Sequence, residues 1–409
     1  MSAAHDEARR FVEQLRMQNR AALGLPPTTA HPGQDAVNDE LFNRFLRESL
    51  IPEDARNPEI RRLWEQARAR DREEAGTEMF GQMHENIERI AVRSITRADG
   101  GPIDFTSLRP FVAELQTGQL NAVSMRVPGR HGAYLVLFET EMKLFASKIS
   151  KAIAWAIPCY PHPAQEHMIA FEWGTGPIAE RIKADPEITV RFADIVISYA
   201  ATGSVAEAAH HLMPPGYLTL ASNLRDSLEY FVLGHEYGHI LCGHLDTAAT
   251  RKGVLPAEEA EVLAYSWHME MQADWLGMAL AIHALMNYEN QDFDLTFAGI
   301  SLFFDAMDIM DRAVALLETG DEDARQLGSH PPSDVRRKYL ADSLPQVVGN
   351  DPSDAETVTR ALHMAESQSE IVRLLWERTR PILLDLRRQG LSAAHTWRTV
   401  PKEGGARSW

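Results

Sequence analysis

Phe231–Val232–Leu233–Gly234–His235–Glu236–Tyr237–Gly238–His239–Ile240–Leu241–Cys242–Gly243–His244 is the stretch that decides how this chain is read. Inside it lies H-E-x-x-H. On an α-helix, positions i and i+4 share a face one turn apart. His235 and His239 can therefore aim two imidazole nitrogens at one point, as the first two ligands of a tetrahedral zinc ion. Glu236 sits on the flank of that face, where it can act as general base on a metal-activated water without ligating the metal. Three fixed positions also occur by chance, and two histidines at this spacing can be plain surface residues. The flanks argue otherwise: Phe231, Val232, Leu233, Ile240 and Leu241 make the helix largely apolar. A charged glutamate buried beside two histidines is costly unless a metal or hydrogen bonds compensate.

A second motif follows, Trp267–His268–Met269–Glu270–Met271–Gln272–Ala273–Asp274–Trp275–Leu276–Gly277–Met278. It reads as a helix, with Glu270 and Asp274 again at i, i+4. Zinc sites with two histidines commonly take a carboxylate as third protein ligand and leave a fourth position open; Glu270 fits that role. Asp274, one turn on, is placed to accept the other ring N–H of a ligand histidine, expected to be His235, fixing its tautomer. The bland alternative is two solvated carboxylates, but the methionines, Trp275 and Leu276 leave little of this helix free to face water.

HEYGH followed 31 residues later by E-M-Q-A-D resembles the gluzincins, zinc peptidases with H-E-x-x-H and a later glutamate ligand. The E-x-x-A-D form is most similar to the family of the membrane CAAX-prenyl protease and the bacterial heat-shock membrane protease. A third element agrees, His330–Pro331–Pro332 with Arg336 and Arg337 close behind. The resemblance covers about Leu224 to Leu340. It implies a zincin-like core, a zinc ligand set of His235, His239 and Glu270, and peptide hydrolysis as the activity. Two departures matter: the interval between His239 and Glu270 is short for the membrane members, and no membrane segment is evident. The short interval is also similar to the soluble repressor-cleaving metallopeptidases of mobile elements and their phage-exclusion relatives. The ligand set therefore carries over and a substrate does not. His330 or Arg336 is a candidate donor to the oxyanion of the tetrahedral intermediate, His330 being taken as the catalytic one. His244 is set aside as a ligand. The metzincin pattern wants Gly three and His six residues after the second ligand, whereas Gly243 is four and His244 five after His239. Gly243 is read as a helix C-cap.

Composition sets the outer bounds. Lys plus Arg number 41 against 58 Asp plus Glu, a net charge of −17, which disfavours nucleic acid or an anionic membrane as partner. Two cysteines, Cys159 and Cys242, exclude a disulfide scaffold and suit a reducing compartment. The first residues lack the apolar core of a signal peptide, and no run of about eighteen apolar residues appears. The expectation is a soluble cytoplasmic protein acting on a protein or peptide substrate.

Three regions are expected: 1–95, a charged helical accessory region with helices at Asp39–Leu50 and Pro58–Glu74; 96–345, the metallopeptidase domain; and 346–409, C-terminal helices and a tail. Asn121–Val127 and Gly132–Phe138 read as a β-hairpin, a candidate edge strand for an extended substrate. His210 and His211, ahead of the turn at Met213–Tyr217, are left as structural. The metal helix is expected to start near Ser222–Asn223. Ala355–Glu366 and Glu370–Gln389 are read as two amphipathic helices that pack on the core or pair between chains into a homo-oligomer. The fold class is α+β, predominantly α-helical. The function expected is a zinc metalloendopeptidase; the alternative is a metal-bound regulatory or defence module that binds a partner with conditional or no cleavage.

Overall fold

Apolar residues at helical spacing fold as helix through most of the chain, and the one β-rich stretch forms a small sheet beside the metal-motif helix. The computed structural model describes residues 3–22, 78–94, 105–115, 120–127, 132–161, 169–209, 211, 213, 215–246, 259–324, 330–348 and 352–394. In order they form α1 (Ala3–Ala22), α2 (Glu78–Ser94), α3 (Phe105–Leu108), β1 (Phe111–Leu115), β2 (Ala122–Arg126), β3 (Tyr134–Glu139), α4 (Thr140–Ala156), β4 (Cys159–Pro161), β5 (Ile169–Phe171), α5 (Thr175–Ala184), α6 (Pro186–Thr202), α7 (Pro215–Leu241), α8 (Glu259–Tyr288), α9 (Phe293–Thr319), α10 (Ser333–Ser343), α11 (Pro345–Val348) and α12 (Pro352–Arg388). The architecture is α+β with helix predominating. The helices expected at 39–50 and 58–74, and the tail past 394, lie outside the described residues. Among those residues no helix is long and apolar enough to cross a membrane.

The main sheet has the order β1-β3-β2. β2 and β3 pair antiparallel, closed by Val127 N–H donating to Ala133 O at 2.8 Å. β1, which carries no hairpin signal, adds parallel to the far side of β3. All six residues of β3 are buried, because successive side chains point to opposite faces and both faces are covered. Leu135 and Leu137 pack with Ala8, Val12 and Leu15 of α1. Tyr134, Val136 and Phe138 join the main helical core. β1 and β2 are the edge strands, and β2 lies against α7.

α7 and α8 pack more extensively on each other than on any other element. Small residues at i, i+4 on both helices make that possible: Gly234 and Gly238 on α7, Ala273 and Gly277 on α8. A Cβ added at Gly238 would lie 2.8 Å from Ala273 Cα, and one added at Gly277 would lie 2.6 Å from His235 N. The two backbones are in contact, so the side chains next to these residues face each other across the seam.

Two boundaries differ from the sequence reading. α7 starts at Pro215 rather than near Ser222. Proline is pre-set for the first helical turn, and Tyr217, Leu220, Ala221 and Leu224 are all buried by that earlier start. Ser227 then sits inside the helix, its hydroxyl donating to Asn223 O at 2.7 Å. The two helices expected past 355 are one, α12, lying along α9 within the same chain. The polar run Ser367–Gln368–Ser369 suggests a break, but its donors are satisfied in place. Ser367 donates to His363 O at 2.9 Å, and Asp305 of α9 accepts from Ser369 at 2.6 Å and Gln368 at 3.2 Å.

α2, in the region expected to be accessory, packs on α7 and α8 through Met83, Ile87 and Ile90. Polar pins add to that contact: Asn86 Nδ2 donates to Tyr230 OH and to Glu289 Oε1, both at 2.9 Å. Tyr237, inside the H-E-x-x-H motif and fully buried, hydrogen-bonds His84 of α2.

Candidate metal centre

The α7–α8 seam sets His235 and His239 opposite Glu270 and Asp274. His235 Nε2 and His239 Nε2 are 3.1 Å apart, Glu270 Oε2 is 3.4 Å from the first and Glu270 Oε1 is 3.4 Å from the second. Tetrahedral bonds of about 2.0–2.1 Å separate ligand atoms by roughly 3.3–3.4 Å. The two imidazole nitrogens and the two Glu270 oxygens that face them are thus spaced close to the corners of such a tetrahedron, and this triangle of residues could hold one metal ion. Glu270 Oε2 is buried and receives no hydrogen bond from a described residue. Its nearest basic neighbours besides His235 are His330 Nε2 at 3.3 Å and Arg336 Nη2 at 3.7 Å.

Each histidine is held from behind. Asp274 Oδ1 lies 2.9 Å from His235 Nδ1, an ion-pair contact whose N–H line is off the ideal. That leaves Nε2 for the triangle, in the role expected of Asp274 from its spacing. Asp274 is fully buried and is gripped by Arg336 of α10, Nε to Oδ2 at 2.7 Å and Nη2 to Oδ1 at 2.6 Å. Phe304 of α9 lies under the guanidinium, 5.2 Å from ring centroid to Cζ. Arg336 therefore orients Asp274, and its fork is engaged there rather than reaching for substrate.

The support of His239 was not legible as such. Gly243 ends α7 in the left-handed region, φ 71°, and the reversal folds His244 back beneath His239. His244 Nδ1 is 3.0 Å from His239 Nδ1, and His244 Nε2 is 3.1 Å from Gln272 Oε1 of α8. A carbonyl oxygen can only accept, so His244 donates from Nε2 and its Nδ1 accepts from His239. His239 is then left with a lone pair on Nε2, which faces the triangle. The offset that removes His244 from the metzincin register is what makes it a support. The available signal was a histidine directly after a C-capping glycine. Replacing His244 with leucine is expected to lower metal affinity about 10- to 100-fold with little change in the fold, read by chelator competition.

The electrostatics suit a cation. Burial works against a charged His235 ring, yet contacts with Asp274 and Glu270 carry its pKa up to about 10. Burial would likewise raise the Glu270 carboxyl, but His235 and His239, with the charge of His330, hold it well below the usual range. A metal held there would displace the proton that these contacts favour on His235.

Glu236, next to His235, is 6% exposed and makes no hydrogen bond and no ion pair with any described residue. His330 stands at the rim, its side chain 45% exposed and its Nε2 3.3 Å from Glu270 Oε2. Cys242 is exposed and takes no part in the triangle.

The chain matches no protein-family model, no curated protein and no solved structure at a significant level.

Proposed function

We propose that the chain is a zinc-dependent endopeptidase with a zincin-like core. The observation that carries this is Glu236: a buried carboxylate with no hydrogen bond or ion pair to a described residue, adjacent in the helix to one member of a donor cluster whose spacings are close to tetrahedral. Zinc held by His235, His239 and Glu270 would acidify water and polarise a peptide carbonyl. Glu236 takes the proton of the attacking water and returns it to the leaving amine. His330, exposed at the rim, donates its ring N–H to the developing oxyanion.

An extended substrate has a place to lie. At the two ends of β2, Asn121 O accepts from Glu139 N and Val127 N donates to Ala133 O, both bonds towards β3. By antiparallel alternation, Ala122, Ser124 and Arg126 turn their backbone groups to the open edge. β2 packs on α7 and on the turn at His244–Asp246, so a peptide added at that edge runs beside the metal helix.

The test is Glu236→Gln, which removes the base and keeps the shape. The variant is expected to retain metal at wild-type stoichiometry by elemental analysis and to lose cleavage of a proteome-derived peptide library by at least about 100-fold. Cleavage at the wild-type rate in Glu236→Gln would sink the reading.

A further inference from the structure

Away from the triangle, α4 and α6, with Ala209, His211 and Met213 ahead of α7, line a small cleft open to solvent. Lys148, Lys151, Arg191 and His211 line it together with apolar residues such as Ile195 and Met213, and no carboxylate lines it among the described residues. In a chain with net charge −17, such a one-signed concavity is against the trend of the composition.

The cations are not solvated surface groups. Lys148 is buried, its ammonium donating to Ala208 O. The Arg191 side chain is 12% exposed, its Nε 3.1 Å from Glu187 Oε1 and its guanidinium stacked 4.0 Å over Trp155. Arg191 Nη1 is buried and has no acceptor among the described residues. Lys151 forms no hydrogen bond and no ion pair among them either. The nearby acid Asp194 is already committed, accepting from Ala209 N at 2.7 Å. Burial, then the charge of Arg225, pushes the Lys151 ammonium below its ordinary value. Buried donors with no acceptor are expensive unless something supplies one.

We propose that this cleft is a binding site for a small phosphorylated anion, its phosphoryl oxygens taken by the Lys151 ammonium and the Arg191 guanidinium and its body resting on Ile195 and Met213. Two cationic side chains lining one concavity match the several acceptor oxygens of a diphosphate. The site is separate from the metal centre. Arg225, whose charge reaches Lys151, precedes His235 by ten residues of α7, about 15 Å along the helix.

The experiment is calorimetric titration of the full chain, at fixed ionic strength with a chelator present so that no metal bridges the ligand. The probes are inorganic pyrophosphate, a nucleoside diphosphate, and citrate as a phosphorus-free anion of similar charge. Saturable one-to-one binding of a phosphate probe, tighter than citrate, is expected. Lys151→Met, which removes a charge that pairs with no described residue, should weaken that binding at least about tenfold without lowering Tm. Tighter binding of the nucleoside diphosphate than of pyrophosphate would place the organic body on the apolar wall, and equal binding would identify the diphosphate group alone as the ligand. Absence of saturable binding by both phosphates, citrate binding as tightly as they do, or unchanged affinity in Lys151→Met would each overturn the proposal. None of these outcomes depends on peptidase activity.

Discussion

Gly277→Ala is expected to drive α7 and α8 apart and with them the metal donors. The new Cβ would meet His235 N at 2.6 Å and His235 Cα at 2.8 Å. Both are backbone atoms, so no rotamer change relieves the clash and one helix must move. Overpacking of this kind costs about 1–3 kcal/mol, visible as a lower urea midpoint. The larger effect is on the site. The donors are 3.1–3.4 Å apart, and metal bonds tolerate only about 0.2 Å. A seam opened by an ångström leaves Glu270 out of reach, and metal affinity should fall at least about 100-fold. Gly81→Ala in α2 is the control, since nothing lies within 4 Å of its added Cβ. It should leave metal affinity unchanged and raise stability by up to about 1 kcal/mol. Equal metal affinities in the two variants would show that the close approach does not set the site.

The second large effect is expected at Arg336→Met. Asp274 has no exposed surface and takes two hydrogen bonds from Arg336. Breaking a buried pair by removing one member costs about 3–5 kcal/mol, because the other charge stays behind. Asp274 would also lose the fork that aims it at His235, and metal affinity should fall about 10- to 100-fold. The double variant Asp274→Leu with Arg336→Met separates the two consequences. It removes both charges, so most of the stability should return, whereas the metal affinity should not. If the double variant regained both, Asp274 would be a packing group and nothing more.

Much of the centre was readable because its chemistry is periodic. The i, i+4 spacings of His235 with His239 and of Glu270 with Asp274 put each pair on one helix face, and apolar neighbours showed that both helices are buried. The hairpin was readable from alternation and its turn residues. What escaped had no local period. β1 is a short strand whose pairing is set by β3, more than twenty residues later in the chain. The place of His244 depends on a glycine in left-handed conformation and on Gln272 of another helix. Arg336 looked like a free donor because the sequence does not show that a buried Asp274 takes its hydrogen bonds. The glycines at 234, 238 and 277 are unfavourable in an isolated helix, and their value appears only when the partner backbone is in place. The continuity of α12 through Ser367–Ser369 depends in the same way on Asp305 of α9.

The link from Arg336 to Asp274 spans 62 residues, and that separation has a consequence during synthesis. As a chain emerges from its N-terminus, α7 and α8 leave first with all three donors, while the guanidinium that neutralises their deepest carboxylate is still to be made. Domains assemble in this order at about 5–20 residues per second. For several seconds the nascent protein therefore carries a partial, electrically unbalanced version of its centre. Docking of α10 is the event that completes it, and a fragment stopped before Ser333 should capture metal loosely and release it readily.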